Sequence, residues 1–219
     1  MGTGYVARSG NRSDACLVAC AYRIILLMSQ DKVGRYEWLN RRSACRNQRL
    51  EVFFDTVRTG DGVTVSDFMV VRPLIRTTGN VCGVCILPEV DGKIGLMRVY
   101  RHQLNEEVWQ APAGFVEVNE APADTALREL QEETPVRCMP DRVEPLGLYL
   151  PDAGLIDGYV ALFVARESVL SSDHSGTDRE IGVGGLHFFD GTALKRLVMS
   201  SSDVGGSTLV ACLRVLSGP

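Results

Sequence analysis

The sequence predicts a fold of the α/β (α+β) class, built from mixed β-sheets and a few helices. Most apolar runs are short, rich in valine, isoleucine and aromatic residues, and bounded by glycine, asparagine or aspartate, which is the pattern of strands. One stretch, residues 122–134, has a clear period of 3.6 residues and indicates an amphipathic helix. Because several strand-like runs follow one another without an intervening helix, the chain lacks the pattern of regular strand–helix–strand units.

The composition is that of a soluble globular protein with a substantial core. Of 219 residues, 45% are hydrophobic and 23% are charged, which excludes wholesale disorder. The length fits one domain with an appendage, or a small domain and a larger one. The formal net charge is −4, so the chain lacks the basic character expected of a protein that binds duplex nucleic acid. An acidic enzyme acting on phosphates must take positive charge from metal ions or from a few arginines.

The chain is predicted to divide into three zones. They are an N-terminal extension at 1–33, a small antiparallel β region at 34–76 and the main domain at 77–219. In the β region, two strand-like runs flank the sequence TGDG, whose glycine and aspartate suit a hairpin turn.

The N-terminal extension has no clear period. We expect either a loosely held segment or residues upstream of a start at Met28. Its apolar stretch, residues 15–28, is too short to span a membrane and contains Arg23. No clean small-residue cleavage site follows it, which argues against a secretory signal. We therefore expect no membrane partner.

The main domain is predicted to contain further strands and three helices. The strand candidates are VCGVCIL, IGLMRVYR, VWQAPAGFVEV, LGLYLP, GYVALFVAR and LHFF. The helix candidates are 122–134, 194–199 and 208–216. The polar segment SSDHSGTDRE has the composition of a solvated loop.

The seven cysteines are odd in number and their spacings form no disulfide framework. Cys82 and Cys85 make a C-x-x-C motif, but they lie in a strand-like run, where residues three apart point to opposite faces. No second pair completes a zinc site. We therefore expect free, buried thiols in a reducing cytosol, and hence a cytoplasmic location.

The helix at 122–134 carries the strongest chemical signal. Pro122 suits the first position of a helix. One side is expected to pack on the core: Ala123, Ala126, Leu127, Leu130 and Thr134. Glu129, Glu132 and Glu133 share a different face, because positions three and four apart are neighbours on a helix. Their like charges repel, and a hard divalent cation with oxygen ligands would offset that repulsion. Taken alone, these glutamates also fit a solvated acidic face.

The surrounding residues complete a longer motif. The segment 114–136, GFVEVNEAPADTALRELQEETPV, resembles the Nudix box G-x5-E-x7-R-E-U-x-E-E-x-G-U, where U is a bulky aliphatic residue. The matching positions are Gly114, Glu120, Arg128, Glu129, Leu130, Glu132, Glu133 and Val136. Pro135 stands where the family has glycine. Because proline fixes φ and disfavours the α region at Thr134, we expect the helix to end by a different route.

The flanking sequence resembles one branch of this family. Residues 94–165 are similar to the ADP-ribose pyrophosphatase branch, in which a strand ending in Tyr-Arg precedes a W-E-x-P-A-G-like strand. Residues 36–75 resemble the N-terminal β region of that branch. The resemblance implies the Nudix fold, with mixed sheets sandwiched by helices. It also implies a homodimer that cleaves the diphosphate of ADP-ribose or a related nucleotide sugar.

The resemblance assigns a metal site to the box, with two or three Mg²⁺ or Mn²⁺ ions. The implied ligands are Glu129, Glu133 and the main-chain carbonyl of Ala113, with Glu132 bound directly or through water. Arg128 is expected to orient the carboxylates through charge-assisted hydrogen bonds. Gly114 is expected to let the backbone approach the site closely, and Glu120 to hold the loop or a water on the metal.

The catalytic base is expected on a loop past the box helix, where the branch has a further glutamate. Glu180 lies in that position, Asp178 is the alternative, and Glu132 is the candidate if neither serves.

Substrate contacts are implied for four residues. Arg101 is expected to bind the pyrophosphate bidentately, and Trp38 to stack on the nucleobase. Gly114 and Gly154, the latter in the loop that contains proline and glycine, are expected to contact the substrate.

Three alternatives remain open on the sequence. The same chemistry applies to another nucleotide sugar, such as GDP-mannose. A non-catalytic Nudix sensor of ADP-ribose-like ligands has no need of three repelling carboxylates. Removal of 5′ groups from RNA fits poorly with the lack of basic character.

Overall fold

The computed structural model describes residues 36–172 and 183–218. The predictions for the extension at 1–33, and those for Asp178 and Glu180, lie outside the described residues.

Three N-terminal strands form a sheet of their own, in the order β1-β2-β3. They are β1 (Glu37–Arg46), β2 (Leu50–Arg58) and β3 (Thr64–Pro73). The short connections at 47–49 and 59–63 allow antiparallel pairing and no other. The sequence predicted β2 and β3, but not β1 as a separate strand. All but one position of β1 is exposed, so it lacks the apolar alternation that marks a half-buried strand.

By its internal contacts the chain divides into two compact units. Of the described residues, one unit contains 36–40 and 56–67, and the other contains 41–55 and 68–218. In the first unit, Arg58 forms an exposed ion pair with Glu37 at 2.8 Å. The predicted boundary between residues 76 and 77 stays a prediction.

The second unit is built on a seven-stranded sheet with the order β12-β5-β4-β10-β9, in which β6 also pairs with β5 and β7 with β4. Its strands are β4 (Val81–Val90), β5 (Lys93–Arg101), β6 (Glu106–Gln110), β7 (Ala113–Phe115), β9 (Val143–Tyr149), β10 (Tyr159–Ala165) and β12 (Val183–Phe189). A separate two-stranded sheet pairs β8 (Val136–Arg137) with β11 (Val169–Leu170). Strand β10 is parallel to β4. The pairs β10–β9, β12–β5, β4–β5, β4–β7, β5–β6 and β11–β8 are antiparallel. The predicted mixed-sheet α+β class is confirmed.

Helices cover both faces of the large sheet. They are α1 (Pro122–Glu133), α2 (Gly191–Ser200) and α3 (Gly206–Ser217), with a short 3-10 helix at Pro140–Arg142. Leu130 of α1 packs with Val84 and Ile86 in one buried cluster. Leu194 of α2 and Ala211 of α3 belong to the other. Among the described residues, none of the helices has the length and hydropathy that a membrane span requires.

Helix α1 ends without the family glycine. Thr134 has φ −138° and ψ 158°, an extended conformation that suits the residue before a proline. Its buried hydroxyl donates to the carbonyl of Leu130 at 2.6 Å and accepts from the amide of Val136 at 3.2 Å. A side chain therefore replaces the glycine turn.

The predicted packing side of α1 needs one correction. Ala123 is exposed, and Thr125 is fully buried in its place. The Thr125 hydroxyl bonds to Glu120 and to the carbonyl of Ala121, so this polar residue is satisfied inside the first turn.

The described cysteines are free thiols. Cys82, Cys85 and Cys212 are buried, as predicted, whereas Cys45 is exposed. Burial raises the pKa of the Cys85 thiol to about 12, which leaves it protonated and unreactive. Tyr159 of β10 pairs with Val81 and the next residue, Val160, pairs with Gly83, so the pairing of β10 with β4 skips Cys82. Because of this irregularity, the alternation of side chains assumed for Cys82 and Cys85 does not apply.

Candidate active site

Arg128 is the centre of the site. Its Nη1 donates to Glu129 Oε1 at 2.7 Å and to Glu132 Oε2 at 2.9 Å. Its Nε donates to Glu120 Oε1 at 3.0 Å, and its Nη2 reaches Glu120 Oε2 at 3.2 Å and the carbonyl of Phe115 at 3.3 Å. A planar guanidinium with five N–H donors is the side chain that can join three carboxylates in this way.

The loop before α1 is tied to the same arginine through Glu120. Besides Arg128, Glu120 accepts from the hydroxyl of Thr125 at 2.7 Å and from the amide of Glu117 at 3.3 Å. The hydrogen bond from Arg128, followed by that from Thr125, holds the pKa of Glu120 below its usual value, although burial opposes this. The hydrogen bond with Glu120, followed by the contacts with Glu129 and Glu132, raises the pKa of Arg128. Both groups are therefore charged at neutral pH.

Strand β7 brings backbone against the glutamates of α1. The amide of Ala113 donates to Glu133 Oε2 at 3.2 Å. A Cβ added at Gly114 would overlap the carboxylate of Glu129, so glycine here lets that carboxylate lie against the backbone. Strand β7 pairs with β4, which fixes Ala113 opposite Cys85 and Gly114 opposite Val84. The sheet thus sets where the carboxylates of Glu129 and Glu133 lie.

The described residues contain no group of three Asp, Glu, His or Cys side chains that already converges as a metal site. Glu129 and Glu132 turn to Arg128, and Glu133 turns to the amide of Ala113. The donor set nevertheless fits a hard divalent cation, because it consists of carboxylate and carbonyl oxygens. Three carboxylates share the single charge of Arg128, and the space at Gly114 holds the Glu129 carboxylate against the backbone.

A cleft of about 560 Å³ adjoins these groups. Gly114, Arg128 and Glu129 line it, together with Arg49 and Arg101. Its apolar lining residues include Leu50, Val71, Pro73, Phe115, Ile156 and Val160. Carboxylates and arginines on one apolar cleft are the groups that binding an anionic ligand with a metal requires.

One wall of the cleft is held by backbone and charge together. The amide of Val71 donates to the carbonyl of Leu155, and the amide of Asp157 donates to the carbonyl of Val71. Asp157 also pairs with Arg72 at 2.7 Å and with Arg76 at 3.2 Å.

A larger groove of about 800 Å³ lies beside α3 and contains no predicted site residue. Its Arg214 donates to the carbonyls of Leu146 and Leu148, at 2.7 and 3.0 Å. That arginine joins the helix to β9 and so has a structural role, and we do not assign the active site to this groove.

The structure brings together most of the predicted residues. Ala113, Gly114, Arg128, Glu129, Glu132 and Glu133 lie together, and Arg101 lines the same cleft. Trp38 lies on β1 in the first unit and is 63% exposed. Gly154 is exposed, and its amide donates to Asp152 Oδ1 within its own loop at 2.9 Å. Neither Trp38 nor Gly154 lines the cleft.

Two residues were missed from the sequence: Arg49, which lines the cleft, and Gln110, which contacts the cleft residue Arg101. Arg49 lies in the connection between β1 and β2 and stacks on Phe115, with its guanidinium 5.9 Å from the ring centroid. Gln110 binds the guanidinium of Arg101. The contact of Arg49 depends on tertiary structure and leaves no local signal. Gln110, in contrast, stands in the W-E-x-P-A-G-like strand, where its replacement of glutamate is visible in the sequence.

Comparison with known protein families matches the NUDIX domain to residues 79–182. Residues 79–182 are thus similar to the Nudix family. The match begins just before β4 and includes the whole of the Arg128 cluster and the box.

Three curated relatives are similar over part of the chain. The "Methanol dehydrogenase activator" of Bacillus methanolicus is 33% identical over 50% of this chain and 57% of its own length. The "CMP-5′-(N-acetyl-N-hydroxy-3-aminopropyl)phosphonate hydrolase" of Streptomyces rubellomurinus (strain ATCC 31215) is 32% identical over 58% of this chain and 59% of its own length. The "ADP-ribose pyrophosphatase" of Bacillus subtilis (strain 168) is 31% identical over 44% and 50%. The chain thus spans between half and three fifths of these relatives, and the likeness to the pyrophosphatase branch is confirmed.

A solved structure shares the fold of the Nudix domain and of most of the chain. The crystal structure of an "ADP compounds hydrolase" superimposes with a TM-score of 0.69 at 18% identity, covering 86% of this chain and 96% of that one. The Nudix fold predicted from the sequence is confirmed.

Proposed function

We propose that this chain is a metal-dependent pyrophosphohydrolase that acts on ADP-ribose or a related nucleotide sugar. The reaction adds water across the phosphoanhydride bond and yields a nucleoside monophosphate and a sugar phosphate. The observation that carries the proposal is the cluster of glutamates around Arg128, placed by β7 on the wall of a cleft that also contains two further arginines.

The metal ligands in this proposal are the carboxylates of Glu129 and Glu133 and the carbonyl of Ala113, with Glu132 bound directly or through water. Bound Mg²⁺ or Mn²⁺, in two or three ions, would neutralise phosphate oxygens and lower the pKa of a water. Arg128 holds Glu120, Glu129 and Glu132 in place through charge-assisted hydrogen bonds.

The substrate's phosphates are assigned to Arg101 and Arg49, which line the cleft. Arg101 would bind phosphate oxygens through two N–H groups at once. Phe115 and the apolar wall at Val71 and Ile156 would exclude water from the reacting groups.

The proton acceptor is assigned to a glutamate. Glu180, with Asp178 as the alternative, lies outside the described residues. Glu132 is the candidate within the helix; its side chain is 38% exposed, more than that of Glu129 at 12%.

A homodimer and a cytoplasmic location complete the proposal. The proposed dimer contact is formed by residues 34–76. It is supported by the large apolar side chains that the N-terminal sheet exposes: Trp38, Leu39, Val65, Phe68 and Met69. Exposed apolar residues in such numbers mark contact surfaces. Light scattering of the full chain at micromolar concentration tests this, and a monomer would contradict it.

The names of two relatives guide the choice of nucleobase and leaving group in the proposed substrate. One relative is named as an ADP-ribose pyrophosphatase and another as a hydrolase of a CMP-linked phosphonate. We propose ADP-ribose first, and the same chemistry on cytidine or guanosine nucleotides, GDP-mannose included, second.

The experiment is a screen of nucleotide sugars with Mg²⁺ and with Mn²⁺, in which release of the nucleoside monophosphate is measured. Turnover of ADP-ribose that stops on chelation supports the proposal. ADP-ribose binding without turnover would instead make the chain a sensor, and turnover undiminished in excess chelator would exclude the metal mechanism.

A further inference from the structure

Three arginines line the cleft, and they are held by partners of different charge. Arg128 is held by glutamates. Arg49 is held by the ring of Phe115. The guanidinium of Arg101 donates through both Nε, at 3.0 Å, and Nη2 to one acceptor, the side-chain oxygen Oε1 of Gln110.

The contact with Gln110 is made in preference to a carboxylate close by. In the pairing of β5 with β6, Arg101 lies opposite Glu106, and Gln110 lies opposite Met97. The Arg101 side chain passes over Val108 to reach Gln110 on the same face of the sheet. Within residues 36–172 and 183–218, no carboxylate lies within ion-pair distance of Arg101.

The charge of the partner decides what Arg101 can do. An amide oxygen fixes the direction of a guanidinium but leaves its full positive charge to act on a ligand. A carboxylate at the same distance would cancel much of that charge at short range. Gln110 itself stands where the W-E-x-P-A-G pattern has glutamate, so the neutral partner distinguishes this chain from the pattern.

We infer that Gln110 is a positioning residue that presents Arg101 as an uncompensated cation to the diphosphate of the substrate. The inference rests on the proposed function for the nature of that substrate. Gln110 touches Arg101 and acts through it, and its effect should therefore appear in substrate affinity and not in the chemical step.

The test compares the kinetics of the full chain with those of Gln110→Glu on ADP-ribose and Mg²⁺. Glutamate preserves the size of the side chain but pairs with Arg101. We expect KM to rise about tenfold and kcat to stay within about twofold, because the lost attraction acts on bound substrate and transition state alike. The KM of the variant should also depend less on salt concentration.

The matched control is Gln103→Glu, which adds the same charge at an exposed position of the turn between β5 and β6. Its KM should equal that of the wild type. If Gln110→Glu behaves like this control, or lowers kcat with KM unchanged, the inference is overturned. Should Gln110→Glu fail to fold, Gln110→Ala frees Arg101 and should raise KM about threefold through the cost of ordering that side chain.

A binding measurement separates this inference from the proposed function. Calorimetry with inorganic pyrophosphate, in chelator, should show weaker binding to Gln110→Glu than to the wild type. Equal affinity, or no binding to either, overturns the inference. If the wild type hydrolyses no nucleotide but this difference in pyrophosphate binding is found, the proposed function fails and the role of Gln110 stands.

Discussion

Arg128 and Arg101 line the same cleft but have opposite surroundings. Arg128 forms ion pairs with three carboxylates, so its positive charge is neutralised by them and it holds them in place. Arg101 is held by one neutral amide and keeps its charge for a ligand. The cleft therefore contains a carboxylate cluster that suits cations and, besides it, an arginine whose charge suits phosphates.

The comparison shows that residue type alone does not assign a role to an arginine. The sequence context of Arg128, inside the box, indicates an orienting role, and its contacts agree with that. For Arg101, the deciding feature is a partner across the sheet. Arg101 lies on β5, which pairs with β6. Arg128 lies on α1 and donates to the carbonyl of Phe115, a residue of β7 that pairs with β4.

Removing one of the proposed metal ligands from the carboxylate cluster should have the largest effect. Glu133→Gln is expected to lower kcat by at least ~10²-fold, since it removes a carboxylate assigned to hold the metal. Its fold should be intact, because glutamine still accepts from the amide of Ala113. Steady-state kinetics with circular dichroism checks this, and near-normal kcat would show that another residue is the ligand.

Filling the space beside the glutamates should have the next largest effect. In Gly114→Ala the new methyl group would displace the Glu129 carboxylate, and kcat is expected to fall roughly tenfold or more, equivalent to about 1.4 kcal/mol of activation free energy. Gly191→Ala is the control, since nothing lies within 4 Å of a Cβ at that position at the start of α2. Equal activity of the two variants would mean that Glu129 need not lie where it does.

Replacing the shared arginine should weaken both stability and rate. Arg128→Lys leaves one ammonium for three carboxylates, and the free energy of unfolding is expected to fall by about 1–3 kcal/mol, with kcat several-fold lower. The same change at Arg142, in an exposed pair with Glu167 at 3.1 Å, should cost little. Urea unfolding of both variants measures the difference, and similar losses would deny Arg128 any special role.

The smallest effect is expected at Asp157, where the arrangement is reversed and two arginines share one carboxylate. Burial works against the charged form, but hydrogen bonds from Arg72 and Asn80 and the charge of Arg76 outweigh it, and the pKa of Asp157 is lowered. The ionised group therefore stabilises the fold above the ordinary aspartate pKa near 4, and that contribution is lost as pH falls through the lower folded value. Urea unfolding should show Asp157→Asn less stable than wild type by about 1 kcal/mol at pH 7, and the gap should close in acid. A gap that stays constant down to acid pH would contradict this reading.

Much of the fold and half of the cleft could be predicted from the sequence. The apolar runs of β4 and β10 predict buried strands, because their residues are buried on both faces. The carboxylates are local to one helix, so helical spacing predicts their grouping. Strand β1 escaped prediction because it is exposed along nearly all its length. The partner of Arg49 depends on loop position, which no local pattern encodes, whereas Gln110, the partner of Arg101, stands in a strand that the sequence does predict.

The central claim is that the carboxylates around Arg128 bind divalent metal, and Mn²⁺ binding followed by electron paramagnetic resonance tests it without any substrate. The wild type should bind Mn²⁺, and Glu129→Gln/Glu133→Gln should lose most of that binding while Gln103→Glu keeps it. Equal Mn²⁺ binding by the wild type and the double variant would contradict the claim.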